Sequence, residues 1–155
     1  MSLATWKKKY VPQSAQAAAR VDAQTAIEHA LRKWRGLRRS NLAKHGVKPM
    51  IKMSSVGDSI RLSDGNDSSY PITGETCAPC IRFLKRGSLH PCTRCPLAIV
   101  RDDIPCDVRR WGETASPYQR FVEDHYAEPM IRWLTRARKY TEHKRASPQK
   151  GSRST

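Results

Sequence analysis

The sequence predicts a small α+β fold in which amphipathic helices pack around a cysteine-knuckle segment with a few short strands. Three observations carry that expectation. Apolar residues recur at helical spacing near both ends of the chain, short apolar runs alternate with turn residues over 50–72, and all five cysteines fall between 77 and 106. A chain of 155 residues accommodates one domain with tails and excludes a multi-domain enzyme. The expected organisation is a single domain over 1–140 followed by a basic tail over 141–155.

In the N-terminal third, Ala23, Ile27, Ala30, Leu31, Trp34 and Leu37 form the stripe of a helix with one buried face. This helix is expected within 22–44, with Ser14 or Asp22 as its start. Gly36 interrupts the run and Gly46 follows Lys44 and His45 as a C-terminal cap, so one helix or two fit the pattern. Over 50–72, Ile51 and Met53, then Ile60 and Leu62, are separated by Gly57-Asp58 and followed by Asp64-Gly65-Asn66-Asp67. That is the signature of short strands joined by turns.

Helices are expected again over 117–140. Ser116-Pro117-Tyr118-Gln119 combines an N-cap serine, a proline in the first turn and a glutamine placed to complete a capping box. Phe121, Val122, His125 and Tyr126 follow, and Glu128-Pro129 restarts a second helix with the stripe Met130, Trp133, Leu134 and Ala137. Beyond Tyr140 the composition is polar and cationic, which reads as disorder over 141–155.

Hydrophobic residues make up 38% of the chain and aromatics 7%, against a net charge of +15, so a thin core lies under a strongly basic surface. The charge is uneven. Residues 1–52 carry +10, residues 53–76 carry −3, and 77–112 and 113–155 carry +4 each. Arg32, Lys33, Arg35, Arg38 and Arg39 crowd one short stretch without interleaved acids, and Lys7, Lys8 and Lys9 precede them. Such repulsion favours an anionic partner, and these eight residues are the candidate nucleic-acid contacts. A solvated helix face is the plainer reading of the same cluster. No apolar stretch is long enough for a membrane span, and the opening residues lack the apolar run of a signal peptide, so the expected location is a reducing cytoplasm.

The cysteines form two close pairs, Cys77-Ala78-Pro79-Cys80 and Cys92-Thr93-Arg94-Cys95, with eleven residues between them. A Cys-x2-Cys turn aims two thiolates at one point, and two such turns supply the four soft ligands of a tetrahedral zinc ion. The segment is therefore expected to be a four-cysteine zinc knuckle held by Cys77, Cys80, Cys92 and Cys95. Cys106 is either a spare thiol or an alternative ligand, and His90 lies close enough in sequence to compete. An iron–sulfur cluster is the alternative cofactor, since Cys95-Pro96 resembles the closing Cys-Pro of ferredoxin motifs, although the other spacings differ. Arg82, Lys85, Arg86 and Arg94 lie in the same segment, where they would offset the net −2 of a zinc tetrathiolate.

A sphere closed by four cysteines leaves no metal-bound water to activate, so the expected zinc is structural. The five histidines are dispersed, and no phosphate-binding loop, nucleophile elbow or dinucleotide fingerprint is present. A nuclease using one histidine and scattered acids would leave no such motif, so that class stays open; otherwise no enzyme is indicated.

Several segments together resemble small uncharacterised cysteine-cluster proteins of tailed bacteriophages and prophages. They are Thr5 to Pro12, Ala26 to Leu37, Asn41 to Gly46, both cysteine pairs with Pro96-Leu97, Cys106, Ser116-Pro117-Tyr118 and Glu128 to Ile131. The resemblance spans residues 5 to about 137. It implies a phage origin, a host-cytoplasm location, one metal site for the cysteines, and a fold that includes Trp6 to Pro12 and the Lys33-Trp34 helix. The basic charge and the tail after Tyr140 are not implied by that resemblance.

Two functions follow as expectations. The first is a non-enzymatic zinc-binding accessory protein that binds nucleic acid mainly through phosphates, without base-specific reading. The second is a protein-binding phage factor that inhibits or redirects a host enzyme or complex, anchored by Trp111, Trp133 and Tyr140 on an acidic host protein.

Overall fold

A computed structural model describes residues 1–53, 55 and 59–147. The architecture is small and α+β. Helices α1 (Leu3–Tyr10), α2 (Ala15–Val21), α3 (Ala23–Gly36) and α4 (Arg39–Lys44) precede strands β1 (Lys48–Lys52), β2 (Ser59–Ser63) and β3 (Ser69–Pro71). A 3-10 turn at Gly74–Thr76 leads into α5 (Ala78–Phe83), α6 (Pro96–Ile99), α7 (Pro117–Asp124) and α8 (Glu128–Ala146). The expected turn at Gly57-Asp58 lies outside the described residues.

Local chemistry sets the helix boundaries. Ser14 and Asp22 both act as N-caps, the first opening α2 by accepting from the Ala17 amide and the second opening α3 through a 2.7 Å bond from the Thr25 amide. The Ser116–Gln119 capping box starts α7 as its sequence requires. Gly46, at φ +64°, ends α4, where a left-handed residue lets the Val47 amide reach the Leu42 carbonyl.

α3 is the central helix. It packs against α1, α2, α5 and α8, so burial extends beyond the expected stripe to Ala26, His29, Lys33 and Gly36. Only a narrow strip, including Glu28, Arg32 and Arg35, stays exposed. Gly36 admits α1: the Trp6 indole N–H donates to the Gly36 carbonyl at 2.8 Å, and a Cβ on Gly36 would stand 2.4 Å from the Tyr10 ring. Trp6 is fully buried, so the basic N-terminus is part of the packed fold. The core continues through Trp34, whose ring meets that of Phe121 edge-on at 5.1 Å between centroids.

The sheet is antiparallel in the order β1-β2-β3, with Ile51 opposite Ile60 and Leu62 opposite Tyr70. Ile60 and Leu62 enter the core, whereas Met50 and Ile51 on the edge strand are more than half exposed. No helix among the described residues is long and apolar enough to cross a membrane.

One expectation is corrected here. Disorder is expected from residue 141, but α8 runs on to Ala146, with Thr141 buried and the Arg145 guanidinium donating to Gln24 Oε1 at 3.3 Å. Contact with the start of α3 gives these polar residues the tertiary support their composition lacks. Residues 148–155 lie outside the described residues.

Candidate metal centre

Three separate segments bring the thiols together. Cys77 leads into α5, where Pro79 occupies the first turn and the Cys77 carbonyl accepts from the Ile81 amide, so Cys80 follows within one helical turn. Cys92 and Cys95 are joined by a tight turn in which the Cys95 amide donates to the Cys92 carbonyl at 2.9 Å, and Cys95 then opens α6 ahead of Pro96.

Cys106 arrives on a loop built around Arg101. That guanidinium is fully buried and donates to the carbonyls of Ile104, Pro105 and Val108 and to the Glu113 carboxylate. The Cys106 carbonyl in turn accepts from the Tyr118 amide at 3.1 Å, which fastens the loop to α7.

All five cysteines line one cavity of about 20 Å³, walled by Pro79, Leu84, Leu97, Ala98 and Pro105. They are free thiols. Among the described residues, no group of three or more His, Cys, Asp or Glu side chains stands in ready metal-ligating geometry. The thiols share this cavity. His90 is exposed and does not line it.

Electrostatics differ among the five. A hydrogen bond from the Cys80 thiol, with Lys33 nearby, holds Cys77 below the ordinary thiol value, and the same bond holds Cys80 above it. Burial pushes Cys95 up to about 12 and raises Cys92 and Cys106 as well.

Neither family models, curated proteins nor solved structures match this chain. The site must therefore be judged on its own chemistry.

The expected cationic face of α3 divides. Lys33 is corrected outright: it is 1% exposed, donates to the Thr76 carbonyl at 2.6 Å, and faces Cys77, Cys80 and Cys106, so it cannot contact a phosphate at the surface. Its place at helical spacing from Ala26, His29 and Ala30 puts it on the packed side of α3.

Arg32, Arg35, Arg38 and Arg39 remain at the surface, but most are engaged. Arg38 pairs with Glu128 at 2.5 Å, Arg32 donates to the Lys9 carbonyl at 2.8 Å, and Arg39 donates to the Asp124 carbonyl at the end of α7. Lys7, Lys8 and Lys9 are exposed, with the ammonium groups of Lys7 and Lys9 over the rings of Tyr70 and Tyr10.

Arg101 is the residue that sequence reasoning misses. Nothing in Arg101-Asp102-Asp103 marks its first residue as buried, because its acceptors are mostly backbone carbonyls supplied by the loop's own path.

Proposed function

We propose that this chain is a non-enzymatic accessory protein, stapled by one structural zinc ion, that binds nucleic acid through its phosphates. The observation that carries the metal reading is the gathering of five thiols from three segments around one small cavity. About 20 Å³ suits a single ion, being close to the ~10–15 Å³ that one water-sized occupant needs. An iron–sulfur cube would need the walls to move apart, which favours zinc among the soft-ligand alternatives.

Cys77, Cys80, Cys92 and Cys95 are the proposed ligands, and Cys106 lines the same cavity as the alternative. Lys33 supports the assignment. A buried ammonium is costly unless an opposite charge answers it, and a zinc tetrathiolate, at net −2, supplies that charge. Zinc would act as a cross-link joining α5, α6 and the intervening loop, and coupled binding of this kind contributes on the order of 10 kcal/mol to folding.

Net charge of +15 supports the polyanion partner, with Lys7, Lys8, Lys9 and Arg35 as surface contacts. The assignment to a phage, acting in the host cytoplasm, rests on the resemblance of the quoted motifs. An anisotropy titration with labelled duplex and single-stranded DNA at two salt concentrations tests the function. Affinity is expected to fall steeply as salt rises, through counterion release; absence of binding at low salt, or salt-independent affinity, would overturn it.

One observation favours the second reading, a protein-binding phage factor. Trp111 is fully exposed beside Arg109 and Arg110, the position of an interface anchor. A stoichiometric protein partner retained from nuclease-treated host lysate at moderate salt would support that reading over the first.

A further inference from the structure

A groove of about 330 Å³ opens between the start of α3, α6 and the last turns of α8. Its apolar wall is made by Phe83, Ile99 and Tyr140, each partly buried, and its rim by the exposed cations Arg94, Lys144 and Arg145. Asp22 is the one carboxylate on the wall among the described residues, and it is already engaged as the N-cap of α3, accepting from the Thr25 amide.

The volume falls at the small end of ligand pockets, which run from roughly 300 to 1,000 Å³. It is large enough for one planar ring system with its attached phosphate. Aromatic walls beside a cationic rim form the combination that single-stranded nucleic acid uses, with bases stacked on side-chain rings and the backbone followed by positive charge. A base pair inside a duplex cannot offer its face to such a groove.

Two features show that the groove is held by the fold. Arg94 lies within the Cys92–Cys95 turn and Pro96 follows it, so the cysteine segment fixes one wall. The other wall is the part of α8 beyond Tyr140, anchored by buried Thr141.

We propose that this groove seats one nucleotide of a single-stranded nucleic acid, its base against Tyr140 and Phe83 and its phosphate between Arg94, Lys144 and Arg145. The inference rests on the nucleic-acid reading above and gives it a place on the surface.

The test is an anisotropy titration of the full chain with a fluorescein-labelled oligothymidylate over a salt series, with a duplex of equal length and thymidine monophosphate as competitors. Lys144→Gln combined with Arg145→Gln, both exposed positions, is expected to weaken strand binding by about tenfold or more and to lower the log–log salt slope by about 1.4. Tyr140→Leu is expected to weaken binding by about tenfold with the slope unchanged, and Tyr140→Phe to restore it. Circular-dichroism melting of each variant separates lost binding from lost fold.

Failure of the unaltered protein to bind any nucleic acid at low salt would overturn the proposed function and this site with it. Binding that survives the groove variants but falls with Lys7→Gln and Arg35→Gln would overturn the site alone. A duplex or the free mononucleotide competing as well as the strand would overturn the choice of ligand.

Discussion

Replacing Lys33 with methionine separates the two states that the metal account distinguishes. Methionine matches the length of the lysine stem and favours the helix almost equally, so the change removes the ammonium and its bond to the Thr76 carbonyl with little change in packed volume. In the zinc-bound protein the buried positive charge opposite the thiolates disappears. Breaking a buried charge pair from one side costs about 3 kcal/mol at the low end, which corresponds to roughly a hundredfold in zinc affinity.

In the metal-free protein the balance is different. Lys33 there faces one thiol held low, Cys77, and two held up, Cys80 and Cys106, so the desolvation relieved by removing the ammonium offsets that single pairing and the unsatisfied Thr76 carbonyl, which costs ~1–3 kcal/mol. Competition of each protein against a chromogenic zinc chelator gives the affinity, and thermal melting with and without chelator gives the stability of both states. The expected pattern is weak zinc binding with a metal-free melting temperature close to the parent's. Unchanged zinc affinity in Lys33→Met would refute the reasoning, because Lys33 would then not be the counter-charge of the cluster.

Gly36→Ala is expected to destabilise by about 1–3 kcal/mol in denaturant melts despite alanine's better helix propensity, since its Cβ would overlap the Tyr10 ring; a stabilised variant would show that α1 does not dock there. Asp22→Ala should cost about 1 kcal/mol by removing the α3 cap, measured in the same way. His29 donates from Nε2 to the Gln13 carbonyl, while its buried Nδ1 meets no hydrogen-bond partner among the described residues, and burial lowers its pKa below 6.5. The unfolded chain therefore takes up a proton first as pH falls, so stability should decline from pH 6.5 downward until the folded imidazole is also protonated. His29→Gln should flatten that decline in melts across the range, and an identical pH profile would show that another group governs it.

The parts of the fold written in local chemistry are legible in the sequence. Caps at Ser14, Asp22, Ser116 and Gly46 act through bonds spanning a few residues, and alternation around Ile60 and Leu62 marks the strand that enters the core. What the sequence hides depends on long-range contact. Lys33 sits among sequence neighbours that are surface charges, although its spacing from Ala26 and Ala30 places it on the packed side; α3 packs against α1, α2, α5 and α8, so a one-faced stripe does not describe it. The extension of α8 past Tyr140 depends on contact with a helix more than a hundred residues earlier in the chain, which composition does not encode.

Of the site, the cysteine spacing points to four of the thiols that line the cavity, whereas the approach of Cys106 to the same cavity depends on the Arg101 loop and has no signal in spacing. Serine substitution at Cys77, Cys80, Cys92 or Cys95 is expected to release the metal and Cys106→Ser to retain it, with metal content as the readout. Retention in Cys92→Ser with loss in Cys106→Ser would exchange those two ligands.

The central claim is most directly tested by elemental analysis of freshly purified protein joined to a melting curve with and without a strong chelator. One zinc per chain, and a fold that loses cooperative melting when the metal is stripped, is the predicted result. A metal-free protein whose melting is cooperative and indifferent to chelator would contradict it.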